Sequence, residues 1–463
     1  MKEQTWPRIQ CWMKDFGPIR EGSFDLAPLT VFIGPNGSGK TYAATLAYLF
    51  IKALEVRGWE NIWDLLWLLT KSPLSKSATE PVIIVPDMLS EAGQEAFREK
   101  LSQFIGQIVS SLENQIPNYF GQDSIEPLVR RGGDYLQIGF RWEQEKRAPF
   151  VVQGGWLKGR GWSWEWGGFD RLSLEFYGLP KPRRGRPLQL TPEDLIWAFQ
   201  NSLGLPERIY YFPAARAGLL QGWRVLAAMA IRWVRREIGI RPIQATPYTG
   251  VAGDFLLALL EGGPRWVWQP IKDTAVTTLL EEILQGYVDW LSPEDPQLLV
   301  FQQGLRIPLS AVSSGLAELA PIDLWLRKGL LRRGDWLIIE EPEAHLHPEN
   351  QRRIATLMVR LVRCGVRVLC TTHSDIILHQ ISNHLLLGEA LEKGHRPEGF
   401  DPEWDRLGYG EVGVYLFRME GDGSVIEPVI PEPGFGIPED EFVRVAEAIG
   451  SQTYSLLDLI ESE

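Results

Sequence analysis

The chain has 463 residues, with 47 Lys and Arg against 59 Asp and Glu, for a formal net charge of −12. Its 44% apolar and 23% charged content is globular and excludes wholesale disorder, and the length allows two or three domains or one large domain with insertions. Three cysteines, Cys11, Cys364 and Cys370, exclude a disulfide framework and fit a reducing compartment; the acidic balance argues against a sequence-nonspecific nucleic-acid coat but leaves room for a local basic groove.

The opening MKEQTWPRIQ has no apolar leader run, and no window reaches the ~18 uncharged apolar residues of a spanning helix. The nearest, Val225–Val234, is broken by Arg232, so a cytoplasmic protein without a membrane segment is expected. Residues 24–33, FDLAPLTVFI, predict a buried strand running into GPNGSGKT and then an apolar helix from about Tyr42 to Val56. A helical stretch at 59–70, an extended segment at 81–86 and an amphipathic helix over 88–113 follow. From 121 to 190 the pattern changes. Alternation in YLQIGFRW (135–142) and RLSLEFYG (171–178) predicts antiparallel strands, and the Gly- and Trp-rich span between them predicts turns at Gly154–Gly155 and Gly167–Gly168. KPRRGRP (181–187) reads as a loop, and 191–203, 215–238, 252–261 and 274–290 as helices. No sustained heptad, internal repeat or low-complexity tract is visible. The last third returns to strand–helix alternation: a strand in WLIIEEPE (336–343), a helix over 349–363, a strand in VRVLCTTHS (366–374), a hairpin over 413–430 turning at Asp422–Gly423, and a helix starting near Pro438.

Gly34-Pro35-Asn36-Gly37-Ser38-Gly39-Lys40-Thr41 fits G-x-x-x-x-G-K-[ST] completely, with a strand before it and a helix after. Its glycines let backbone N–H groups converge on phosphate oxygens at a helix N-terminus. Lys40 is expected to reach the β- and γ-phosphates and the Thr41 hydroxyl to ligate Mg²⁺. Glu340 and Glu341 end an apolar strand, where α/β sheets place ligands, and alternation points their side chains differently. One can hold the metal through water while the other polarises the attacking water. Thr371-Thr372-His373-Ser374 closes another apolar strand, placing His373 to sense the γ-phosphate or position water. Ser313, Ser314 and Gly315 precede a helix and make a second anion-binding N-terminus.

These motifs, in this order, resemble the ABC-type ATPases of the RecF/SMC and overcoming-lysogenisation-defect (OLD) lineage, of AAA_15/AAA_21 type. The resemblance covers about 1–60 and 300–385, and Tyr210 to Gly218 is similar to a Y-x-P-A-x-R-x-G segment of such proteins. It implies an α/β P-loop NTPase of ABC-ATPase head type with an inserted mixed subdomain. The implied division is an N-terminal lobe (1–60), an insertion (61–300), a C-terminal lobe (301–390) and a hairpin and helix (391–463). It makes Glu340 the metal-side acid, Glu341 the catalytic base and His373 the switch histidine. Asn36 to Thr41 bind the nucleotide in cis, Ser313 to Gly315 touch ATP on a second subunit, and Glu343 to His347 fall at the dimer seam. The acid pair Glu-Glu is usual in the OLD-like branch, whereas SSGLAEL lacks the second glycine and the glutamine of LSGGQ. Gln137 and Gln153 are the candidates for the Q-loop glutamine.

The stretch after His373 holds no D-x-D pair at a strand end, so no TOPRIM nuclease is expected. The resemblance implies a cytoplasmic ATPase using ATP and Mg²⁺ and working as a homodimer, or higher even oligomer, through ATP-sandwiched heads. It would sense and regulate in a bacterial anti-phage system with a separate effector nuclease. The alternatives are a RecF-like repair ATPase that clamps DNA, a scaffold that sequesters a toxin, and, disfavoured by the acids and signature, a transporter ATPase. DNA or RNA is a possible ligand of KPRRGR or of the insertion that carries Trp142, Trp156, Trp162, Trp164 and Trp166 among the 19 tryptophans, although a compact core is the plainer account of those rings. His345 and His347 read as part of the family segment rather than a zinc site, the cysteines as core, and Arg216 as either structural or close to nucleotide.

Overall fold

The computed structural model describes residues 7–54, 82–84, 91–143, 150–167, 174–176, 208–220, 250–260, 274–290 and 298–461. In chain order these give β1 (Arg8–Phe16), β2 (Ile19–Asp25), β3 (Leu29–Ile33), α1 (Lys40–Lys52), β4 (Val82–Ile84), α2 (Glu91–Tyr119), β5 (Tyr135–Glu143), β6 (Phe150–Leu157), β7 (Gly161–Gly167), β8 (Leu174–Phe176) and β9 (Ile209–Phe212). Then come α3 (Gly250–Leu260), α4 (Thr274–Leu284), β10 (Gly286–Trp290), β11 (Leu298–Gln302), β12 (Leu305–Pro308), α5 (Ser314–Arg327), β13 (Trp336–Glu340) and α6 (Pro348–Arg363). The chain closes with β14 (Arg367–Thr371), α7 (Asp375–Glu392), β15 (Val412–Glu420), β16 (Gly423–Val429) and α8 (Asp440–Glu461).

Every residue of β3, β9, β13 and β14 is buried, as strands covered on both faces must be. They run parallel in an eleven-stranded sheet ordered β7-β6-β5-β1-β2-β16-β15-β3-β14-β13-β9. Strand alternation sends Phe32, Leu369, Trp336 and Ile338 into the core shared with α1 and α2. Val31, Val368, Leu337 and Ile339 enter the opposite core, under α5, α6 and α7. The α/β P-loop architecture expected from the motifs is thus the one observed.

The sheet draws strands from each of the four segments named above. β5–β7 do not form a sheet of their own but continue the main one from β1, and β9 closes its far edge beside β13. β10, β11 and β12 make one small separate sheet, and β4 pairs with β8 alone in another. The β15–β16 hairpin lies inside the sheet, with β15 parallel to β3 and β16 parallel to β2.

Three local expectations need correction. Gly154 and Gly155 are not a turn; they lie in β6, where a Cβ on Gly154 would come 2.6 Å from the Trp164 ring and one on Gly155 2.9 Å from the Tyr135 hydroxyl. The turn is at 158–160. The helix foreseen over 274–290 stops at Leu284, because Gln285 takes φ 51 and reverses the chain into β10. The late hairpin turns one residue early, on Gly421–Asp422, with Glu420 opposite Gly423. The helices foreseen at 59–70 and 191–203, residues 221–238 of the one foreseen over 215–238, and the KPRRGRP loop lie outside the described residues. No helix among the described residues is long and apolar enough to cross a membrane.

Trp142 and Trp156 are core residues, 2% and 7% exposed, and the Trp142 ring stacks on Phe150. Trp162 and Trp164 stack at 5.0 Å, half-buried, with the Trp164 indole N–H donating to Glu113 at 2.8 Å. Trp166 is exposed.

Candidate functional site

The glycine-rich loop begins where β3 leaves the core. Gly34 and Gly39 hold φ 136 and 97, and a Cβ on either would strike a neighbour, Phe417 O at 2.5 Å or Ile19 Cγ1 at 2.6 Å. Only glycine fits at both places. α1 starts at Lys40, whose ammonium donates to the carbonyls of Gly34 (2.8 Å) and Pro35 (2.9 Å). Burial pushes the Lys40 pKa down to about 8, with Glu341 and Glu343 pulling it back up. Ser38 is buried and donates to Pro35 O at 2.8 Å, while Thr41 sits exposed at the mouth of the loop beyond Asn36 and Gly37.

Parallel register aligns the next two motifs with this loop. Phe32, Thr371 and Glu340 form one row across β3, β14 and β13, so the chain beyond each emerges at the same edge. Glu340 faces α1, 5% exposed, and accepts from the Tyr211 hydroxyl at 2.6 Å and the Ala214 N–H at 2.8 Å. Tyr211 in turn meets Thr45 of α1 at 3.2 Å. Burial first, and then the Glu340 charge, hold the Tyr211 hydroxyl well above its ordinary pKa, so it stays a donor. Glu341 turns the other way at φ 42, its N–H bonded to Thr371 O at 2.9 Å. Its carboxylate lies 4.0 Å from His373 Nε2. Burial, and then the Lys40 charge, lower the His373 pKa against the pull of Glu341, which favours the neutral ring. Lys40, Glu341 and His373 therefore share one electrostatic neighbourhood.

Glu343, expected at the dimer seam, and Arg216, left open between two roles, complete it. Glu343 Oε1 accepts from the Thr372 hydroxyl (2.8 Å) and the His373 N–H (2.7 Å), fixing the histidine loop; burial raises its pKa. The E-E-P-E run shows a third acid, but only the turn after β13 shows which way it faces. Arg216 is fully buried and joins the backbone of the acid turn rather than solvent, donating to Glu340 O at 2.6 Å, Glu341 O at 3.3 Å and Pro213 O at 3.1 Å. Its donors are thus committed to the backbone beside the two acids.

The signature serine caps α5: Ser313 Oγ accepts from Leu316 N at 3.4 Å, with Ser314 the first helical residue. Gly315 packs on the loop after the acids, where a Cβ would come 2.7 Å from His345 O. His347 caps α6 by accepting from Glu349 N at 3.3 Å, and His345 Nδ1 lies 3.4 Å from Glu318. Among the described residues no cluster of three metal-ligating side chains exists. Cys11 and Cys370 are fully buried with raised pKa values, and Cys364 is half-buried. Gln137 and Gln153 lie in β5 and β6, with β1, β2, β16 and β15 between β5 and β3 in the sheet, and Gln153 is bonded to Glu165 at 2.7 Å.

A donor set of one hydroxyl, Thr41, and one carboxylate, Glu340, suits a Mg²⁺ that keeps its waters and takes its other ligands from phosphate. The two donors already on Glu340 fix its carboxylate while leaving lone pairs for metal-bound water.

Residues 291–379, which carry the signature, the acids and His373, match the family model described as "AAA domain, putative AbiEii toxin, Type IV TA system" (AAA_21). This part of the chain is similar to an AAA domain. No curated protein matches the chain. Solved SMC heads are similar at low identity. One, bound to the C-winged helix domain of ScpA, is 13% identical with a TM-score of 0.41, over 91% of this chain and 97% of its own. A Pyrococcus furiosus Smc head with extended coiled coil, bound to the C-terminal domain of ScpA, is 12% identical with a TM-score of 0.40, over 96% and 99%. The Thermotoga maritima SMC head is 12% identical with a TM-score of 0.36, over 91% and 98%.

Proposed function

We propose that this protein binds and hydrolyses ATP and uses it as a timed adhesive between two copies of its head. The observation that carries this reading is the convergence of Lys40, Glu341 and His373 at one sheet edge, with His373 and Glu341 4.0 Å apart. Lys40 and the loop N–H groups bind phosphate, Glu341 takes the proton from the attacking water, and neutral His373 orients it. Mg²⁺, held by Thr41 and Glu340, neutralises phosphate charge when bound. The Ser313 helix N-terminus of each head meets ATP on the other copy, and loss of the γ-phosphate then loosens the pair.

Lys40→Ala should abolish ATP binding in a direct titration, and normal affinity would refute the loop assignment. Glu341→Gln should bind ATP, lose turnover and run as a stable ATP-dependent dimer on size exclusion; undiminished turnover would mean another base.

A cytoplasmic sensor working with a separately encoded effector nuclease in anti-phage defence is the wider role we propose. Its support is the OLD-like motif order and a matched family whose description names a putative toxin of a Type IV TA system. That description equally favours the ATP-dependent toxin scaffold as a second reading. Turnover measured with and without the product of the neighbouring gene separates them: the sensor is stimulated, the scaffold stays nearly inert.

A further inference from the structure

We infer that Arg216 and Glu318 form a buried positioning link that ties the N-terminal turns of α5 to the backbone conformation of Glu341. The inference rests on the role proposed above for Glu341. The two side chains are 0% and 1% exposed and paired at 2.7 Å. The remaining donors of the same guanidinium grip the carbonyls of Glu340 and Glu341, and its Nε also reaches the Glu318 carbonyl at 3.0 Å. One planar fork thus spans the acid turn and the signature helix.

Glu341 needs such a grip. It is a non-glycine residue at φ 42, a conformation that persists only where neighbours over-determine it. Its N–H is fixed by Thr371 O and its C=O by Arg216, so both of its peptide planes are held. Released, the residue relaxes to negative φ and carries its carboxylate away from His373. The other end of the link is equally constrained, since Gly315 is wedged on His345 O and Glu318, one turn further along α5, faces His345 at 3.4 Å. A shift of α5 on meeting a second copy is therefore passed to Glu341 as a change in backbone grip. A buried ion pair contributes little net stability and is worth keeping where it specifies a geometry.

The test uses the full chain. Arg216→Lys keeps the charge opposite Glu318 but cannot span both carbonyls. Arg216→Met with Glu318→Leu removes both charges and keeps the volume filled. Each should leave the ATP Kd within about threefold and lower kcat by about tenfold or more, the scale of a misplaced reacting group. Hydrogen exchange at 338–346 should accelerate while that of β14 does not, a readout that needs no turnover. Unchanged kcat and exchange in a folded variant overturn the link, as does a Kd that rises in step with the fall in kcat. Loss of folding in both variants overturns it too, since the pair is then structural cement alone. A parent protein that binds ATP without turnover refutes the functional reading instead, and exchange at 338–346 still decides the link.

Discussion

Glu340 and Glu341 are neighbours in sequence with opposite surroundings. Glu340 continues the strand's alternation into the α1 core, whereas Glu341 leaves it at a left-handed φ that costs on the order of 1–3 kcal/mol. The result is one acid locked by Tyr211 and Ala214 and one free to face His373. Lys40 supplies a prediction at this scale. Its charged form is disfavoured by burial, so its pKa of about 8 lies below the ordinary 10.5. ATP requires the ammonium form, so the apparent affinity should hold below pH 8 and weaken by up to about tenfold per unit above it. Kd measured from pH 7 to 9 checks this; a flat profile would show that the ammonium is not the group that meets phosphate.

At the scale of elements, the site depends on helix N-termini delivered by close backbone contacts. α5 docks because residue 315 has no side chain, leaving its backbone against His345 O. Gly315→Ala forces backbone apart, since neither a carbonyl nor a helix turn can fold away as a flexible side chain would. It should lower stability by about 1–3 kcal/mol in denaturant titration and reduce turnover more than cis nucleotide binding. Wild-type stability would mean that α5 slides freely on the 341–347 turn. Strands β6 and β7 show the same use of missing side chains, with Gly154 of β6 lying under Trp164 of β7. A Gly-Gly pair reads locally as a turn; what fills the space above it comes from β7.

For the whole molecule, the decisive feature is the hairpin near the end of the chain, which sits between β2 and β3 at the centre of the sheet. Ser424 ties it to the phosphate loop by donating to Ser38 O at 2.6 Å, and Phe417 O lies against Gly34. α8 differs: Val445, Ile449, Leu456 and Ile460 are all exposed on it. Ending the chain after Glu439 should leave the unfolding midpoint within a few degrees. Ending it before Val412 should abolish cooperative unfolding, because β3 and β2 lose the strands between them. Circular dichroism melts of both truncations check this, and a folded core without the hairpin would show that the sheet closes without it.

The chemistry carried by contiguous residues is legible in the amino-acid order. GPNGSGKT, IIEEPE and TTHS are each local signals, a strand end plus the residues just beyond it; alternation led to the expectation that the two acids diverge, but the left-handed turn at Glu341, just past the strand, is what parts them. Tertiary structure decided everything that depends on partners remote in the chain. Arg216 finds its carbonyls at Glu340 and Glu341, more than a hundred residues on, and β15 finds its place beside β3 only when the sheet assembles. Periodicity shows which face of an element is apolar, not which other element covers it. The grip on Glu341 is therefore a property of the fold, while the acid itself is a property of the sequence.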